Sequence, residues 1–325
     1  MGKWSPAVLL LTLTVLARAD CPPPAPCYTE AGIVNGASFV AGSLAPNTLA
    51  SIYGSDLAWT PRPLVAEDIL GGRLPVSLGG VTVHVGAYQA PLYYVSPTQI
   101  NVLIPANLRP GEHVIRVVRD GWAGPAARIR LSDVAPALFL FDEHTPVATR
   151  PDFSVITPDS PAAAGEYVIL WATGLGETVP YVRSYDELPL SAAPLARRNE
   201  FQVLVDGQAV DSSRIDYAGV APGFGGLYQI NFRLPETLSA NPEVRIALGT
   251  SFSPSGIRLP AGGYSLNFSS RAVRSRPVGT VSGPYNSGRR AQIHIWPVLW
   301  GSREASRSAI TMSSPALFVS ARTRP

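Results

Sequence analysis

The residues that could carry chemistry in this chain are few. Four histidines occur, His84, His113, His144 and His294, and none has another histidine or a cysteine at metal-ligand spacing. His84 alternates with Val83 and Val85, which places it on the solvent face of a strand, and His113 follows the turn-forming Pro110-Gly111. There is no G-x-S-x-G elbow, no H-E-x-x-H, no calcium-loop spacing of acids and no glycine-rich phosphate loop opening a helix. Gly223-Phe224-Gly225-Gly226 reads as a tight turn before a strand. No metal or cofactor is therefore implied. Glycoside hydrolysis needs only two carboxylates, which can lie far apart in the chain. Asp56, Asp120, Glu166, Glu177, Asp206 and Asp216 are the candidates, and nothing in the sequence separates them from solvated loop acids.

Two other features could mark a site. Gln-Ile-Asn occurs twice, at 99–101 and 229–231. On a strand Gln99 and Asn101 share one face while Ile100, Val102 and Ile104 share the other, and Gln229 and Asn231 stand in the same relation to Ile230, Phe232 and Leu234. The apolar triplets belong in a core. The amides either form a ligand-binding stripe, since they both donate and accept hydrogen bonds, or satisfy backbone groups of the neighbouring loops. The second feature is the pair Cys21 and Cys27 in the run CPPPAPC. An intramolecular disulfide there requires a tight turn, because an extended proline segment at about 3.1 Å per residue holds the Cα atoms too far apart. An intermolecular bond is the alternative.

The elements that must position these residues are short strands. Prolines number 32 and glycines 29, and no stretch has a helical period. A length of 325 residues suits two domains rather than one. The chain also contains an internal duplication. Ile52 to Leu57 answers to Leu170 to Leu175, Val81 to Val85 answers to Phe201 to Val205, and Gln99 to Pro105 answers to Gln229 to Pro235. Alternating strands at regular spacing with turn signals between them predict an all-β chain of two tandem immunoglobulin-like β-sandwiches, over 33–141 and 142–259. The junction Ala135-Pro136-Ala137-Leu138-Phe139-Leu140 is short and apolar, so the two are expected to pack together.

The flanks read differently. Residues 1–19 have the form of a cleaved export signal, with Lys3, an apolar run from Pro6 to Leu16 and the small-x-small site Ala17-Arg18-Ala19. That run is shorter than the roughly 20 residues of a spanning helix, so no membrane span is expected in the mature chain. A Pro-rich segment, 20–32, follows. The tail 260–325 is basic: residues 271–325 hold nine arginines against one acid, +8 of a net +3, which leaves −5 for the rest. Two short echoes there, at 264–268 and 314–319, suggest a decayed third repeat or chance. Export makes nucleic acid a poor partner; an anionic surface or polysaccharide suits the arginines better.

The matched blocks carry a family resemblance. Ile52 to Leu57, Leu78 to Val85 and Ala90 to Pro105, followed by Ala172 to Gly176 and Tyr217 to Pro235, resemble the motifs of the Solibacter-type uncharacterised C-terminal domain family of exported bacterial proteins. The resemblance covers about residues 33–260 and implies an immunoglobulin-like fold and export. It implies no activity. The expectation is a secreted or cell-surface, non-enzymatic module, structural, adhesive or carbohydrate-contacting, whose partner is a surface protein or polysaccharide. The alternative is an exported hydrolase using dispersed carboxylates.

Overall fold

A computed structural model describes residues 21–180 and 186–262. The expected signal 1–19, both tail echoes and His294 lie outside the described residues.

The first sandwich holds strands β1 (Cys27–Asn35), β2 (Leu49–Ser55), β3 (Val81–Val85), β4 (Tyr88–Ala90), β5 (Leu92–Val95), β6 (Gln99–Leu103), β7 (Gly111–Arg119), β8 (Trp122–Ala123) and β9 (Ala127–Leu131). One sheet runs β1-β2-β6-β5; the other runs β9-β7-β3-β4, with β8 beside β7. In immunoglobulin lettering these are the ABED and GFC sheets. The second sandwich repeats the plan with β10 (Ala137–Leu138), β11 (Ala148–Thr149), β12 (Tyr167–Thr173), β13 (Phe201–Val205), β14 (Ile215–Val220), β15 (Tyr228–Arg233), β16 (Val244–Leu248) and β17 (Ser251–Phe252). Its sheets run β12-β15-β14, with β10 and β11 both on β12, and β17-β16-β13. The chain is thus two tandem immunoglobulin-like sandwiches. Its three matched sequence blocks fall on the second, third and fifth strands of each lettering (B, C and E).

Alternation fixes which residues face inward. In β3 the valines 81, 83 and 85 are buried while Thr82 and His84 are half-buried, and β13 and β15 repeat the pattern. Val83, Ile100 and Ile115 meet in the first core; Val203, Ile230 and Ile246 meet in the second. The crossover comes slightly earlier than the expected boundary at residue 141. Ala137 and Leu138 pair with Thr173 and Ala172, so they already belong to the second sandwich. The first sandwich likewise begins at Cys27, inside the expected Pro-rich segment.

A third apolar cluster lies between the sandwiches. Leu49, Leu74, Tyr93 and Leu103 from the first meet Phe139, Ile169, Trp171 and Leu227 from the second. Polar groups are paired across the same seam. The Tyr93 hydroxyl donates to the Gly225 carbonyl (2.9 Å) and accepts from the Gly225 N–H (3.0 Å). The Leu49 N–H donates to Thr173 Oγ1 (2.9 Å), which in turn donates to the Gly226 carbonyl (2.8 Å). Gly226 has φ +71°, and a Cβ there would stand 2.5 Å from Leu103 Cδ1, so glycine is what permits the approach. The glycine-rich turn read from the sequence is therefore a docking element for the other domain.

Burial raises the Tyr93 phenol well above its usual value of 10, an effect partly offset by its hydrogen bond with Gly225. Tyr228 is raised for the same first reason, burial. Above pH 10 the unfolded chain loses phenolic protons that the folded chain keeps. Stability that is complete below pH 10 must therefore decline as pH rises beyond it. Replacing Tyr93 by Phe removes two buried hydrogen bonds and should cost about 1–3 kcal/mol at neutral pH. The variant should also show a shallower alkaline decline than wild type, as read by urea unfolding at neutral pH and above pH 10.

Candidate functional site

The repeated amides lie on the outer faces of β6 and β15, and each forms a side-chain ladder. Gln99 Nε2 donates to Asn101 Oδ1 (2.8 Å), and Gln229 Nε2 donates to Asn231 Oδ1 (2.9 Å). Asn101 is 1% exposed and also accepts from Ser51 Oγ (3.0 Å) on the paired strand. In the second copy the residue opposite Asn231 is Ile169, which has no hydroxyl, and Asn231 stays half-buried with Tyr167 as a further partner. Neither ladder relies on the loop backbone that the sequence offered as partner. The 96–99 loop is closed instead by Ser96 Oγ, which accepts from the Gln99 N–H (2.9 Å).

Cys21 and Cys27 form an intramolecular disulfide with Cα atoms 5.4 Å apart, the proline run turning back through a cis Pro23–Pro24 bond. The carboxylate candidates are scattered. Glu166 pairs with Arg150 (2.6 Å), Asp206 accepts from Ser239 (2.6 Å), and Asp216 bonds Tyr167. Asp56 lies 4.0 Å from the Arg119 guanidinium, Asp120 accepts from the Trp59 indole that covers that guanidinium (2.6 Å), and Glu177 stands elsewhere. Among the described residues no group of three or more His, Cys, Asp or Glu side chains could hold a metal ion.

Glu177 belongs to a cleft of about 430 Å³ between the sandwiches. One wall comes from Asn47, Asn107, Leu108, Arg109 and Asp133, the other from Leu175, Gly176, Glu177 and Arg197. Buried Leu108, Val134 and Leu175 supply apolar surface. Arg197 is fixed by a two-pronged bond to Glu200 (2.9 and 2.6 Å) and donates its remaining nitrogen to Asp133 (2.6 Å). That bond to Arg197 holds the Glu200 carboxyl below its usual range. Behind the cleft, Asn47 Nδ2 donates to Tyr228 Oη (2.8 Å), which donates to the Gly176 carbonyl. Asn107, half-buried, lines the cleft, and its Oδ1 is turned inward without a hydrogen-bond partner.

Such a cleft can hold a neutral, hydroxyl-rich molecule: both domains contribute polar side chains, and its two arginines and two carboxylates offset each other in charge. The sequence did not single out Asn107 or Arg197. Both come from loops that become neighbours only when the domains dock.

No protein-family profile matches this chain, and no curated protein matches it. Among solved structures it is similar to the Bacteroides ovatus mixed-linkage glucan utilization locus protein SGBP-B in complex with a mixed-linkage heptasaccharide. The TM-score is 0.27 and the identity 13%, over 67% of this chain and 42% of that one. It is also similar to domains 5-6 of the S-layer protein SbsC, with TM-score 0.23 and 12% identity over 73% of this chain and 99% of that one. The tandem Ig repeats of Dlar give TM-score 0.18 and 12% identity over 67% and 91%. The chain spans less than half the length of the first of these.

The two amide ladders should differ in weight. Asn101→Ala leaves Ser51 and Gln99 without their shared acceptor in a dry site and should cost about 1–3 kcal/mol. Asn231→Ala, where water reaches the ladder, should cost clearly less. Thermal denaturation of the two variants reads the difference, and the reverse order would contradict this account.

Proposed function

We propose that the chain is an exported, non-enzymatic surface module that contacts polysaccharide through the cleft between its sandwiches. The observation that carries this reading is the cleft's lining. Asn47, Asn107, Arg109 and Glu177 offer hydrogen-bonding groups of both kinds from both domains, above apolar surface from Leu108, Val134 and Leu175. A sugar presents the complementary pattern, hydroxyls that donate and accept around an apolar ring face. The volume lies within the range of small-ligand sites, roughly 300–1,000 Å³.

Export is supported by the residue pattern at 1–19 and by the disulfide, which persists in oxidising compartments. No helix among the described residues is long and apolar enough to cross a membrane. Binding without hydrolysis is supported by the state of the acids. Glycosidases set two carboxyl groups about 5 to 9.5 Å apart, one of them protonated. Here Asp133 is tied to Arg197 at 2.6 Å, and among the described lining residues only Glu177 is a further acid.

Calorimetric titration with a panel of soluble polysaccharides tests the reading. Wild type should bind at least one of them. Asn107→Ala should weaken that binding by roughly tenfold, the worth of about 1.4 kcal/mol. The bound polysaccharide should emerge uncut by size-exclusion chromatography. Cleavage that disappears in Glu177→Gln would replace this reading with the hydrolase alternative.

A further inference from the structure

At the other end of β2 from the cleft, an arginine is buried with an indole laid over it. Arg119 is 1% exposed, and its guanidinium donates to the backbone carbonyls of Asp56 and Pro24, the latter inside the Cys21–Cys27 loop. Trp59 covers it, with the guanidinium carbon 3.7 Å from the ring centroid. The Trp59 indole N–H donates to Asp120 Oδ2 (2.6 Å). Held on one face and one edge, Trp59 is nonetheless 55% exposed. Asp120 and Gly121, both at positive φ, make the two-residue hairpin turn that puts Trp122 directly opposite Arg119. Directly opposed residues project from the same face of a hairpin, so the Trp122 side chain leaves the sheet on the same face as that of Arg119. Trp122 is 52% exposed. Gly80 makes room for this turn: a Cβ there would collide with Asp120 Oδ1.

Single exposed apolar residues are ordinary, but two exposed indoles, one laid over a buried cation and one leaving the sheet on that cation's face, with two carboxylates at the rim, form a surface of defined chemistry. We propose that Trp59 and Trp122 are a second carbohydrate contact, an aromatic platform that stacks on the apolar face of a neutral sugar ring. Asp120 and Asp56 accept hydrogen bonds from the ring hydroxyls. The surroundings select this occupant. A cationic ligand would face the Arg119 charge through the same indole. An anionic ligand would meet Asp56 and Asp120, and an apolar peptide would have to desolvate both carboxylates. A neutral ring with hydroxyls at its edge meets none of these costs.

The platform is independent of the cleft. Asn47 and Asp56 bracket β2, nine residues apart in extended chain, or roughly 30 Å at about 3.3 Å per residue.

Indole fluorescence and calorimetry on the whole chain, titrated with neutral oligosaccharides of increasing length, test the proposal. Tetramethylammonium chloride and a sulfated polysaccharide serve as charged probes. Trp59→Ala and Trp122→Ala should each weaken binding of the best neutral oligosaccharide by at least about tenfold, and Trp59→Phe should fall between. Trp122→Ala should leave the melting temperature unchanged, which separates the effect from loss of the Arg119 cover. Wild-type affinity in both alanine variants, or preferential binding of either charged probe, would overturn the platform. Loss in the tryptophan variants with wild-type affinity in Asn107→Ala would support the platform and overturn the cleft reading. Loss in Asn107→Ala alone would do the opposite. No binding of any neutral oligosaccharide by wild type would overturn both.

Discussion

The seam between the two sandwiches is the contact on which the rest of the molecule depends. Leu103, Leu227, Phe139 and Trp171 lie between two cores that are each already closed, and all four are buried. Burying a large apolar side chain is worth about 1.5–3 kcal/mol. The cost that could cancel this gain is the desolvation of backbone groups along the sheet faces. Tyr93 and Thr173 remove that cost by pairing with the backbone of Gly225 and Leu49 across the seam and of Gly226 beside it, and the Asn47 and Tyr228 side chains pair across it as well. Apolar packing supplies the energy and the hydrogen bonds set the geometry. Without the seam, Asn47 and Asn107 would not face Glu177 and Arg197, and there would be no cleft.

The two halves use one sequence plan for different ends. In both, the amide two residues beyond Gln99 or Gln229 accepts from that glutamine. In the first copy Ser51 completes a dry network; in the second, Ile169 takes the opposing position and turns that stretch of sheet toward the seam. The Leu-Gly-Gly run at 78–80 and the Ala-Pro-Gly-Phe-Gly-Gly run at 221–226 both supply positive-φ glycines, one for the hairpin beneath Trp59, the other for the approach of Leu103.

Much of the fold was legible because period-two alternation and the duplicated blocks report directly on strands and their inner faces. Val81 to Val85 and Phe201 to Val205 could be placed in matching strands without coordinates. The seam was only partly legible. The apolar run at Ala135 to Leu140 signalled packing, yet Leu103 and Trp171 look in sequence like ordinary members of alternating strands. Of the cleft and the aromatic platform only the acids Glu177, Asp56 and Asp120 stood out in the sequence, and nothing there grouped them. Asn107, Arg197 and Trp59 sit in loops and Trp122 opens the two-residue strand β8, all of unremarkable composition, and only the docking of one domain on another, or of a hairpin beside β2, brings them together. The Cys21–Cys27 pair was visible, but its role in holding Pro24 against Arg119 was not.

The most direct test of this account is differential scanning calorimetry of the chain, comparing calorimetric with van't Hoff enthalpy. A seam that joins the sandwiches into one body predicts a single transition with the two enthalpies equal, and a second, separated transition on replacing Leu103 by Asp. Two resolved transitions in wild type would show that the sandwiches unfold independently, and would contradict the claim that their docking builds the site.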